Sequence, residues 1–140
     1  MSAPSKPVSP PGRPKAKQPP RGAATHTQWG SVGAKGLVDH RTYTITLRKM
    51  PEFLDVFNRL AMPVLMETLG HPLGFWTSWV GPQNQFVHCW AYEDLADYER
   101  RCHARDTHPD FPAYLQASAH LITAQETRLI RAVGMPCWNG

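Results

Sequence analysis

Not one acidic residue occurs before Asp39, although the 140-residue chain has eleven Asp and Glu in all. Cysteine is scarce too: Cys89, Cys102 and Cys137 are odd in number and lack the spacing of a zinc site. That excludes a disulfide framework and suits the reducing cytoplasm. No stretch approaches the roughly 18 apolar residues of a membrane span, and the N-terminal segment lacks the apolar core of a secretory signal. A phosphate-cradling loop and a nucleophile elbow are also missing, Gly33 to Gly36 being only a weak Gly-x-x-Gly match. His103 and His108 stand five positions apart with no carboxylate or thiol pattern to join them, so neither a metal nor a cofactor is expected.

Residues 1–36 hold seven prolines and six basic residues (Lys6, Arg13, Lys15, Lys17, Arg21 and Lys35). Such a segment cannot bury enough apolar surface to offset its ordering entropy, so we expect a disordered tail. Its prolines prevent the amphipathic helix that a mitochondrial transit peptide needs. The remaining nine basic residues face eleven acids, which leaves the rest of the chain at about −2. The overall net charge of +4 is thus a property of the tail, and a specific nucleic-acid-binding domain is excluded.

Two aromatic-rich runs, Phe75 to Val80 and Gln85 to Tyr92, flank the turn signal Gly81-Pro82-Gln83-Asn84 and predict a β-hairpin. In the second run Phe86, His88, Trp90 and Tyr92 alternate with Val87, Cys89 and Ala91. Small residues suit close packing under helices. Large rings with a histidine among them suit the wall of a cavity or an interface, so the ring-bearing face is expected to be the functional one.

Around the hairpin, Leu37 to Leu47 is rich in β-branched residues and predicts the first strand, with Asp39, Arg41, Tyr43 and Ile45 on one face. From Pro51 the period becomes helical, with Phe53, Phe57, Leu60, Ala61, Val64 and Leu65 on one stripe and a stop at Gly70-His71-Pro72. Pro63 removes an amide and clashes with the Arg59 carbonyl, which predicts a kink. Asp94 caps a second helix, Leu95 to about Arg105, whose buried side should carry Leu95, Tyr98 and Cys102. The pair Asp97 and Arg101 reads as part of a solvated face. A third helix runs from about Phe111 to Ala119, and Ile122 to Val133 alternates as the last strand. The result is an α+β, ferredoxin-like β-α-β-β-α-β plan with an extra helix, its antiparallel sheet covered by helices on one face. The expected units are a tail (1–36), a domain (37–133) and a flexible C-terminus (134–140). The other sheet face needs a partner, and two sheets facing each other give a barrel-like homodimer.

The runs Val38 to Thr44, Met50 to Leu54, Leu69 to Phe75, Gly81 to Tyr92, Leu95 to Asp97 and Glu126 to Leu129 resemble the NIPSNAP domain. The likeness spans about Leu37 to Ala132, with Arg41-Thr42-Tyr43 and the His88-x-Trp90-x-Tyr92 hairpin strand as its most specific pieces. It implies a dimeric α/β barrel of the kind shared with antibiotic-biosynthesis-type monooxygenases and EthD-like proteins. It implies no reaction, since the family has no agreed catalytic residues. His88 is the first catalytic candidate, because imidazole titrates near neutrality; a hydrogen-bonded structural histidine is the other reading. Arg41, Tyr43, Trp90, Glu126 and Arg128 are candidates to complete a cavity with it, or to form an ionic network that closes a dimer. Two functions therefore stand: a non-catalytic module or binder of a small hydrophobic molecule, and a cofactor-independent oxygenase or isomerase using the cavity.

Overall fold

A computed structural model describes residues 35–70 and 72–137. All of the expected tail but Lys35 and Gly36 lies outside the described residues, as do His71 and the last three positions of the C-terminus. The described part runs β1 (Leu37–Ile45), α1 (Met50–Val56), a π-helical turn (Phe57–Ala61), α2 (Met62–Thr68), β2 (Pro72–Thr77), β3 (Gln85–Tyr92), α3 (Leu95–Asp106), α4 (Phe111–Ser118) and β4 (Ile122–Arg131). The four strands form one sheet in the order β2-β3-β1-β4, every neighbouring pair antiparallel. This is the ferredoxin-like α+β plan, as an open sheet.

α1, the π turn, α2 and α4 contribute side chains to one apolar cluster with Tyr43, Ile45, Phe86, Trp90 and Tyr92, and Tyr98 of α3 packs against it, so the helices all lie on the ring-bearing face. That reverses the expected arrangement, in which small residues lay under helices and rings looked outward. The gap between a sheet and its helices must be filled at crystal-like density, and large rings supply that volume where Val87, Cys89 and Ala91 cannot. Phe53, Phe57 and Phe86 meet edge to face or tilted, with centroids 4.9 to 5.6 Å apart. The other face carries Val38, Cys89 and Ala91 centrally, with Trp76 and Ile130 exposed on β2 and β4.

At Pro63, where a kink was expected, the helix widens. Met62 N–H donates to the Phe57 carbonyl five residues back, a π-type bond, and Pro63 then sits at the start of α2. Gly70 ends α2 with φ +89°; a β-carbon there would lie 3.1 Å from an Arg101 guanidinium nitrogen.

The hairpin is wider than its turn signal suggests. β2 starts earlier and ends at Thr77, Ser78 still pairs with Gln85, and Trp79 and Val80 fall in the loop, Trp79 being 92% exposed. Left-handed conformations at both Gly81 and Asn84 set that larger loop. In α3, Asp94 caps the Asp97 amide at 2.8 Å as expected. Leu95, however, is 62% exposed, and Asp97 is buried instead. Its carboxylate accepts from Glu93 N–H at 3.0 Å, Arg100 at 2.7 Å and Arg101 at 2.9 Å, which offsets its desolvation. No helix among the described residues is long and apolar enough to cross a membrane.

The fully buried Phe53 and the loop Trp79 should therefore respond oppositely to truncation. Phe53→Ala is expected to cost about 3–5 kcal/mol in denaturant melts, and Trp79→Ala no more than about 0.5 kcal/mol. Comparable losses in the two variants would contradict this placement of the core.

Candidate functional site

Register brings the site together. Across β1 and β3, Asp39 faces Trp90, Arg41 faces His88 and Tyr43 faces Phe86, all on the helix side; across β1 and β4, Gln125 faces Tyr43. His88 is 1% exposed and sits among rings: Tyr43 at 4.9 Å, Phe86 at 5.3 Å and Phe57 at 5.4 Å between centroids.

The Trp90 indole N–H donates to His88 Nδ1 at 2.9 Å. An indole nitrogen can only donate, so Nδ1 must accept and the neutral ring carries its proton on Nε2. Burial, then the Arg41, Arg105 and His40 charges, pull the His88 pKa down to about 3. At neutral pH His88 is therefore an uncharged donor. Its Nε2 has no hydrogen-bond partner among the described residues, and neither has the buried Tyr114 hydroxyl.

Arg41 Nε donates to Asp39 Oδ2 at 2.8 Å, with Asp39 fully buried and the Arg41 side chain 12% exposed. Burial works against the Arg41 charge, but Asp39 and Tyr43 outweigh it and hold the guanidinium above its ordinary value. For Asp39, burial outweighs the arginine and raises the carboxyl. A guanidinium does not give up its proton in a protein, so the permanent charge of the pair is that of Arg41.

A cavity of about 260 Å³ opens between the sheet and the helices. Arg41, Tyr43, His88 and Gln125 line it from the sheet; Arg105 and Tyr114 line it from α3 and α4, with Phe57, Phe111 and leucines as apolar wall. The expected trio of Arg41, Tyr43 and His88 thus shares one space. Trp90 serves it indirectly, by fixing His88. Glu126 and Arg128 do not join it: they pair with Thr42 and His40 on the opposite face and are exposed. An i, i+2 pair keeps one face, and β4 turns the even-numbered face away from the helices. Phe57 also walls a second, apolar cleft of about 240 Å³ with Leu54, Met62, Phe75 and Phe86.

Sequence reasoning missed Arg105, which marked only the end of the second helix, and Tyr114. The signal was present: Tyr98, Cys102 and Arg105 share one helical face, as do Phe111 and Tyr114. Among the described residues no group of three His, Cys, Asp or Glu is placed to hold a metal ion.

The family pattern described as NIPSNAP matches residues 38–135. Among solved structures, a NIPSNAP family protein of unknown function from Agrobacterium tumefaciens is similar at 25% identity and a TM-score of 0.67, over 71% of this chain and 89% of that one. An uncharacterized NIPSNAP-like domain protein from Burkholderia xenovorans is similar at 26% identity and a TM-score of 0.68, over 76% and 91%. A putative antibiotic biosynthesis monooxygenase from Nitrosomonas europaea, at 12% identity and a TM-score of 0.52 over 70% and 99%, shares the fold. No curated protein matches the chain.

His88 makes stability depend on pH with a definite sign. Its folded pKa of about 3 lies below the ordinary 6.5, so on acidification the unfolded chain takes up the proton first. The stability this contributes is fully present above pH 6.5 and drains as pH falls toward 3, at up to about 1.4 kcal/mol per pH unit. His88→Gln is expected to be roughly 1–3 kcal/mol less stable than wild type at pH 7, and the gap should close toward pH 4. Denaturant melts at both pH values, with ring NMR of wild type, check this; a ring titrating near pH 6 would contradict it.

Proposed function

The chain belongs to the NIPSNAP family, and within that fold we propose that it is a binding protein which takes a small, largely apolar molecule into the cavity between sheet and helices. One observation carries the reading: two residues of the cavity wall, His88 and Tyr114, each hold a buried polar atom, Nε2 and the phenol oxygen, with no partner among the described residues. A buried donor left unpaired costs about 1–3 kcal/mol, and a ligand with an acceptor atom removes that cost. The aromatic and leucine wall supplies the apolar contact that binding sites ordinarily use. The arrangement favours binding over acid–base catalysis, because a histidine with a pKa of about 3 is a weak base at neutral pH.

The homodimer belongs to the same reading, through a different set of side chains from the ring row. The sheet face away from the helices carries Trp76, 45% exposed, and Ile130 over a low-relief centre of Val38, Cys89 and Ala91. Glu126 and Arg128 lie on that face as well, and opposite charges one step apart suit a two-fold interface in which each meets the other's copy. The free thiols of Cys89, Cys102 and Cys137 suit the cytoplasm.

Two measurements check these statements. Acetophenone, a ring bearing one acceptor, is expected to shift the His88 and Tyr114 ring signals saturably in an NMR titration; ring signals unmoved at millimolar probe would overturn the binding reading. Light scattering of the full chain at micromolar concentration is expected to give twice the chain mass, and Ile130→Glu to halve it. A wild-type monomer would remove the dimer.

A further inference from the structure

The cavity is unusually rich in donors. Arg41 reaches it from the sheet and Arg105 from the last turn of α3, and both side chains are nearly buried, at 12% and 13% exposure. Each arginine commits its Nε to a carboxylate, Arg41 to Asp39 and Arg105 to Asp106 at 2.8 Å. A guanidinium has five N–H groups in a fixed fork, so most of each remains free of a carboxylate. His88 Nε2–H and the Tyr114 hydroxyl add two unpaired donors. Against these the lining side chains set few acceptors: the Gln125 amide oxygen, the Tyr43 hydroxyl, and Asp106, whose side chain is 56% exposed and shares its charge with water. Asp39 does not line the space.

Resting on the binding reading above, we propose that the ligand is a small aromatic acid whose carboxylate is held by Arg105 and Arg41, with His88 and Tyr114 as neutral donors. Arginine forks match carboxylates in plane and spacing, and hydrogen bonds to an ionised acceptor are roughly twice as strong as neutral ones. The ring of the acid fits beside Phe57, Phe111 and Tyr43, where aromatic pairs gain beyond simple burial. At about 260 Å³ the space falls just short of the roughly 300–1,000 Å³ of sites for drug-sized ligands, which points to a single-ring compound. Tyr114 serves an anion only as the neutral phenol, and His88 donates its Nε2–H without carrying a charge of its own. Burial holds the phenol above its ordinary range and so keeps its proton in place, while the charge that meets the carboxylate comes from the arginines.

The test uses the full chain with benzoate and benzamide, which match in shape and differ in charge, read at the His88 ring by NMR titration. Benzoate is expected to bind at least about tenfold more tightly than benzamide. In Arg105→Gln the ratio should fall to within about threefold; Arg105 is chosen because replacing Arg41 would strand the buried Asp39. Should that variant not fold, Arg105→Lys replaces it: a point charge without the planar fork should shrink the benzoate preference severalfold. Equal affinities in wild type would overturn the acid inference and leave the binding reading standing. If neither probe moves His88, both fail. A preference that survives Arg105→Gln, or Arg105→Lys where that variant does not fold, would overturn the inference as well.

Discussion

The register of β1 against β3 is the constraint on which the rest depends. With Arg41 opposite His88 and Asp39 opposite Trp90, the charged and ring-bearing side chains enter one layer with the helices. A slip of one residue would send Arg41, Tyr43 and Ile45 to the other face and leave Asp39 with no place among the rings. The packing layer fixes that register, because only the ring face has the bulk to fill the space under α1, α2 and α4. Core and site are therefore built from the same strand faces.

The polar part of that layer is costly to bury and correspondingly ordered. Two charges out of water give little net stability as a pair, yet each is strongly missed when its partner is taken away. Asp39 thereby fixes the direction of Arg41, and Trp90 fixes the tautomer of His88. Such fixed donors need no rearrangement to meet a ligand, which lowers the entropic cost of binding.

Much of this was legible in the sequence. The order of elements, the second hairpin strand, the Asp94 cap and the shared faces of Arg41 with Tyr43 and of His88 with Trp90 follow from alternation and capping rules that act within a few residues of chain. The side of the sheet on which helices lie was not legible, because alternation names two faces without saying which is covered. Leu95 and Asp97 were misread for a related reason: hydrophobicity ranks side chains singly, whereas Asp97 is buried by three donors that only the fold assembles. Trp79 has strand propensity, but the backbone demands of Gly81 and Asn84 prevailed over it.

The π turn at Phe57–Ala61 explains a spacing that an α-helix alone would not tolerate. Phe53, Phe57, Ala61, Leu65 and Leu69 are buried at every fourth position, and at about 100° per residue a regular helix would carry such a row some 160° around its axis. A turn holding an extra residue takes back part of that drift, so both halves of the helix present their stripes to the same sheet. The segment thus behaves as a phase correction in the chain, with Phe57 at its first position and both cavities against that one ring. Any insertion or deletion that reset the phase would redraw the wall between the two cavities before it touched a polar residue of either.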